Sequence, residues 1–227
     1  MATTLQIRES VALSVRRAPV IGVVRTSSRE EAAAQARALA AAGIEMVEIT
    51  FTVPGASGLL RELLAEQAAS GAGSPPWFGM GTVTTAARAH EAVEAGAEFL
   101  VTPNVSADVA REARRAGLFL VMGALTPTEI VHAVELGADL VKVYPLPPVG
   151  GPAYLSVIRG PLGDVPMLAA GGFGIEEIPA YARAGAVAFG LAAALLGAAG
   201  GRDAAATRRD VERALALARG ASPEEKR

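Results

Sequence analysis

Apolar positions along the chain fall into two kinds of short run that alternate. Ala-rich stretches with apolar residues three and four apart read as helices, and β-branched runs of a few residues read as strands. The junction between them recurs: a helical stretch ends in Gly and a strand begins within two or three residues. It does so at Ala42-Gly43-Ile44, Ala95-Gly96-Ala97, Ala116-Gly117-Leu118, Leu136-Gly137-Ala138 and Ala184-Gly185-Ala186. Glycine just past a helix supplies the left-handed stop. Successive junction glycines lie 53, 21, 20 and 48 positions apart, so each long gap holds a further unit. Their strands are Trp77 to Val83, introduced by Pro75-Pro76, and Val165 to Ala170, introduced by Pro166. With the opening strand Pro19 to Arg25 there are eight βα units, which predicts an α/β fold, a closed (β/α)8 TIM barrel. A doubly wound open sheet is the alternative. Residues 1–18 are expected to add an N-terminal helix closing the barrel bottom, and 203–219 a terminal helix with Val211, Leu215 and Ala218 on one stripe. Residues 222–227 read as a solvated tail. No linker interrupts 1–227, so a single domain is expected.

Composition narrows the function classes. Hydrophobic residues make up 51% and aromatic residues 4% of the chain, which suits helices packed closely on a sheet. A formal net charge of -2 gives no basic footprint for nucleic acid or a membrane surface. The absence of cysteine excludes disulfides, thiolate metal sites and a thiol nucleophile. Residues 184–201 carry no charge over 18 positions, long enough to span a bilayer, yet five glycines interrupt them, so a strand plus a short helix is expected. The apolar run Val11 to Val15 is too short for a secretory signal core, and a cytoplasmic location is expected.

Chemistry in a barrel gathers at the C-terminal strand ends. The predicted sixth strand, Leu140-Val141-Lys142-Val143, carries a lysine in its middle. Alternation puts Val141 and Val143 on one face and Leu140, Lys142 and Tyr144 on the other. Covering both faces would strip the ammonium of hydration and favour the neutral, nucleophilic amine. The plainer alternative is a lysine that snorkels to solvent or pairs with a carboxylate. On the second strand, Met46, Glu48 and Thr50 face inward. The second and sixth strands share parity, which allows Glu48 and Lys142 to meet in one layer, either as an ion pair or as nucleophile and general acid/base. Arg25 ends the first strand with a planar fork suited to a carboxylate, or it caps the following helix. Thr52 follows the second strand, Thr82 stands in Gly79-Met80-Gly81-Thr82 at the end of the third, and Pro103 lies in Thr102-Pro103-Asn104 at the end of the fourth. Gly171-Gly172 before a predicted helix, Ile175 to Ala184, with Gly190 beyond it, could cradle an anion on backbone N–H groups or form simple tight turns. His90 and His132 fall inside helical patterns and no ligand cluster has metal spacing, so neither a metal nor another cofactor is expected.

Taken together, Val47-Glu48-Ile49-Thr50, Gly79-Met80-Gly81-Thr82-Val83, Thr102-Pro103-Asn104, Val141-Lys142-Val143-Tyr144-Pro145 and Gly171-Gly172 resemble the bacterial KDPG/KHG aldolase family, over roughly Pro19 to Leu195. The resemblance implies a metal-independent class I aldolase that cleaves a 2-keto-3-deoxy sugar acid, such as 2-dehydro-3-deoxy-6-phosphogluconate or -galactonate, to pyruvate and an aldehyde such as glyceraldehyde 3-phosphate. It implies Schiff-base formation at Lys142, proton transfer by Glu48, carboxylate binding by Thr82, and a homotrimer. Thr52 stands where gluconate-type members have arginine, and Arg25 with Thr-Pro-Asn looks more like the phosphogalactonate branch. Ala192-Ala193 replaces the family's Gly-Ser, which implies a weakened preference for phosphorylated aldehydes. Alternatives left by the residues alone are a phosphate-binding barrel with epimerase or synthase chemistry, and a non-catalytic sugar-acid-binding barrel.

Overall fold

The computed structural model describes residues 4–69, 75–197 and 203–220. Eight parallel strands, β1 (Val20–Val24), β2 (Met46–Thr50), β3 (Trp77–Gly81), β4 (Phe99–Val101), β5 (Phe119–Ala124), β6 (Leu140–Val143), β7 (Met167–Ala170) and β8 (Ala188–Leu191), pair in chain order, and β8 closes onto β1. The expected (β/α)8 barrel forms. Around it run α2 (Arg29–Ala41), α3 (Ala56–Ala69), α4 (Ala86–Glu94), α5 (Ala107–Ala116), α6 (Pro127–Glu135), α7 (Gly151–Arg159), α8 (Ile178–Arg183), α9 (Ala193–Leu196) and α10 (Ala204–Gly220). Val211, Leu215 and Ala218 are buried along α10, as their spacing predicts.

Strand alternation separates two apolar regions. Outward-facing Val47, Ile49, Val141 and Val143 pack beneath the helices. Inward-facing Ile21, Met46, Trp77, Phe99, Phe119, Leu140 and Leu168 fill the lumen. Close approach explains Gly79, where a Cβ would lie 2.5 Å from the Phe99 ring. An N-terminal helix, α1 (Thr4–Arg17), adds Val11 and Val15 to the lumenal core from below. Polar contacts orient α1: Trp77 Nε1 donates to Ser14 Oγ at 2.9 Å, Arg8 Nη2 to Asp139 Oδ1 at 2.5 Å, and Arg17 to both Glu45 carboxylate oxygens at 2.8 and 2.6 Å.

Boundaries differ from the sequence expectation in one instructive place. The segment expected as one helix over Ile175 to Ala184 opens as a 3-10 turn, Ile175–Glu177, and becomes α-helical from Ile178. Pro179 has no N–H to donate into a preceding turn, which suits the first positions of a helix. The uncharged run contributes β8 and α9, each far shorter than a bilayer needs. Among the described residues no helix is long and apolar enough to cross a membrane. The expected tail at 222–227 lies outside the described residues.

Candidate active site

β6 directs Leu140 and Lys142 into the barrel while its valines face the helices. Leu140 seals the lumen below, and Lys142, 8% exposed, ends at its mouth. The Lys142 Nζ lies 4.0 Å from Glu48 Oε2, which reaches in from β2, and 5.3 Å from the Tyr144 ring centroid. Glu48 is 2% exposed, and its Oε1 makes no hydrogen bond within the described protein. A buried carboxylate oxygen without a donor is costly unless something else satisfies it. Its room comes from β3: a Cβ at Gly81 would lie 1.9 Å from Glu48 Oε1. The amine and the carboxylate, both buried, thus share one mouth, within reach of one bridging water.

Arg25, just past β1, extends across the rim and donates from Nη2 to Thr82 Oγ1 at 3.3 Å. It points into the mouth instead of capping α2, whose N-cap is Ser28. A cavity of about 560 Å³ joins Arg25 and Lys142 to Gly171, Gly172 and Gly190, with Ala192 and Ala193 on its wall. Gly171 and Gly172 take left-handed φ angles of 134° and 91°, a conformation that other residues rarely adopt. At Gly171 a Cβ would also approach Pro147 Cδ to 2.8 Å. Six residues expected in the site, Lys142, Glu48, Arg25, Gly171, Gly172 and Gly190, therefore converge on one mouth, and Thr82 joins them through Arg25.

Two others stand further off. Thr52 shares a hydrogen bond with Thr50 at 2.7 Å, and Thr50 Oγ1 also donates to the Val24 carbonyl at 3.1 Å, so this pair ties β2 to β1. Pro103 buttresses the fourth strand end: its carbonyl carbon would lie 2.3 Å from a Cβ at Gly123. Thr102 Oγ1 donates to Asn104 O at 2.7 Å and accepts from Gly123 N–H at 3.0 Å, which fixes that turn. Neither Thr52 nor Pro103 lines the cavity.

Sequence reasoning placed Tyr144 by alternation on the Lys142 face without assigning it to the site and passed over Phe173 and Ala170; all three lie on the cavity wall. It also passed over Arg88 on α4, whose Nη1 donates to the Thr82 carbonyl at 3.3 Å. The histidines lie on α4 and α6, and among the described residues no group of three or more His, Cys, Asp or Glu could hold a metal ion.

A family model described as "KDPG and KHG aldolase" matches residues 11–205. The chain is 33% identical over 178 residues to a probable 2-dehydro-3-deoxy-6-phosphogalactonate aldolase of Rhizobium meliloti, covering 78% of this chain and 81% of that one. It is 32% identical over 168 residues to a 2-dehydro-3-deoxy-phosphogluconate aldolase of Treponema pallidum, covering 74% and 77%. Among solved structures, the 2-keto-3-deoxy-6-phosphogluconate aldolase of Zymomonas mobilis with 3-phosphoglycerate superposes with a TM-score of 0.81 at 26% identity, covering 95% of this chain and 99% of that one.

Proposed function

The chain belongs to the KDPG and KHG aldolase family, and from that membership we propose a class I aldolase, a carbon–carbon lyase that cleaves a 2-keto-3-deoxy sugar acid to pyruvate and an aldehyde. The carrying observation is Lys142, buried at the barrel mouth with its Nζ 4.0 Å from Glu48 Oε2. The Lys142 amine adds to the C2 ketone, and loss of water leaves a protonated imine. Glu48, directly or through a water, takes the proton from the C4 hydroxyl. The C3–C4 bond then breaks, its electron pair moves into the imine to give an enamine, and the aldehyde departs. Protonation at C3 and hydrolysis of the imine release pyruvate and restore the amine. The lysine nitrogen is the electron sink, so these steps need no metal.

Arg25 and Thr82 are assigned to the substrate carboxylate, with the guanidinium fork and hydroxyl as donors. The Gly171-Gly172 turn and Gly190 receive the far end of the substrate, and the aldehyde is a three-carbon one such as glyceraldehyde 3-phosphate. Backbone N–H groups of a glycine turn suit a phosphoester, while Ala192 and Ala193 offer no hydroxyl. A lower preference for phosphorylated over unphosphorylated substrate than a hydroxyl-bearing site would give is part of the proposal. We assign a homotrimer as the working assembly. Exposed Val131 and Val134 on α6, Tyr144 and Val149 after β6, and Val157 on α7 support an apolar contact around strand six.

Incubation with pyruvate and borohydride tests the chemistry. A reduced pyruvate adduct mapped to Lys142, absent from Lys142→Met, is the expected result. Pyruvate release from keto-deoxy acids without such an adduct would overturn Schiff-base catalysis.

A further inference from the structure

Thr82 is the only non-glycine residue among those described with a left-handed backbone, at φ 58°. A β-branched residue resists that region and stays there only when its surroundings over-determine it. Both flanking peptides are pinned. On the N-terminal side, the Phe51 N–H donates to the Gly81 carbonyl at 2.9 Å. On the C-terminal side, the Val83 N–H donates to the Val101 carbonyl at 3.2 Å, and Arg88 Nη1 donates to the Thr82 carbonyl at 3.3 Å. The same Arg88 guanidinium donates to Thr84 Oγ1 at 3.0 Å and lies over the Phe51 ring, 5.5 Å from its centroid. One side chain therefore grips both halves of the clamp.

Helix stability gives no reason for an arginine at this position. The Arg88 backbone N–H donates to the N-cap Thr85 Oγ1 at 3.2 Å, which places Arg88 in the first turn of α4, where a cation opposes the helix dipole. What the clamp preserves is a set of donors. The Thr82 N–H donates to no described protein group, and its Oγ1 lies 3.3 Å from Arg25 Nη2. An unspent N–H, a hydroxyl and a guanidinium at one turn are what a planar carboxylate needs.

We propose that Arg88 is a positioning residue for the keto-acid carboxylate, holding Thr82 from behind in the conformation that keeps those donors together. This rests on the assignment of Arg25 and Thr82 to the carboxylate made above. Two quantities are measured for wild type, Arg88→Ala and Arg88→Lys: the pyruvate concentration that half-saturates borohydride trapping, and kcat at saturating keto-deoxy acid. The alanine variant should need at least tenfold more pyruvate, with kcat within threefold of wild type. The lysine variant, which keeps a charge over Phe51 and one donor, should recover at least half of that loss on a logarithmic scale. Arg88→Gln, which keeps an amide donor, replaces the alanine variant under the same criteria if the latter does not fold. A rise below tenfold, a larger fall in kcat, or no recovery by lysine overturns the role of Arg88. Failure to trap pyruvate in the wild type would instead strike the aldolase reading itself.

Discussion

Glu48 carries an acceptor oxygen that nothing in the described protein satisfies, and that oxygen lies against a glycine. Glu48→Gln keeps the shape but loses the base, so kcat should fall roughly 10²- to 10⁴-fold, the usual range for a positioned general acid or base. Pyruvate trapping on Lys142 should persist, because imine formation is the chemistry of the amine. Gly81→Ala should mimic that loss. Its Cβ would come within 1.9 Å of Glu48 Oε1, and the carboxylate must swing away. Steady-state kinetics beside trapping checks both variants; a Gly81→Ala enzyme with normal kcat would mean that the carboxylate position is unimportant. The inward placement of Lys142 and Glu48 was legible from strand alternation and strand parity, since a charge inside an apolar strand demands a reason. The role of Gly81 was not, because a Gly-x-Gly-Thr turn suggests exposed N–H groups and says nothing of a side chain arriving from the neighbouring strand. Arg88 was illegible for a related reason: its bond to Thr84 looks like an ordinary local contact, and the Thr82 carbonyl and the Phe51 ring face leave no mark on sequence spacing.

At the scale of elements, the floor of the barrel holds three carboxylates immediately before even-numbered strands. Glu45 before β2 meets Arg17, and Asp139 before β6 meets Arg8, both cations coming from α1. Glu98 before β4 has the Phe78 N–H at 2.7 Å and no ion pair among the described residues. Burial pushes its carboxyl up to about 7 from an ordinary 4.5, partly offset by that N–H. Between these two values the native state holds a proton that the unfolded chain has released, so this group makes stability fall as pH rises through the window. Glu98→Gln keeps a carbonyl oxygen for Phe78 without the charge. It should be more stable than wild type at pH 8, by on the order of 2 kcal/mol, and about equal near pH 4. Urea unfolding at the two pH values decides it, and a gap independent of pH would refute the burial explanation. The alternating helices and strands were legible here, because Ala-rich stretches, Gly stops and β-branched runs repeat. The polar ring under the floor was not, since it joins residues from α1 to strand starts far along the chain.

For the whole molecule, eight repeats in one chain specified the closed barrel, because a unit of one strand and one helix buries its apolar face only against neighbours. The proposed association has a fainter basis in the sequence. Val131, Val134, Tyr144, Val149 and Val157 are the large apolar side chains exposed near strand six, yet in the sequence each reads as an ordinary surface residue. In the fold they lie on elements that flank β6, α6 preceding it and α7 following it. Tyr144 belongs to this sector and also lines the cavity that holds Lys142, so a partner seated here would complete one wall of the mouth. The proposed trimer should sediment at three times the 23.1 kDa chain mass. Val157 is 75% exposed, so Val157→Glu should leave the isolated chain folded while placing a charge in the contact. Paired with Val131→Glu, it should shift the protein to monomers at micromolar concentration. Because Tyr144 would then lose its cover, KM for the keto-deoxy acid should rise severalfold while trapping at Lys142 survives. Sedimentation velocity with circular dichroism separates the outcomes: a wild-type protein that runs as a monomer, or a double variant that still runs as a trimer, removes strand six from the assembly.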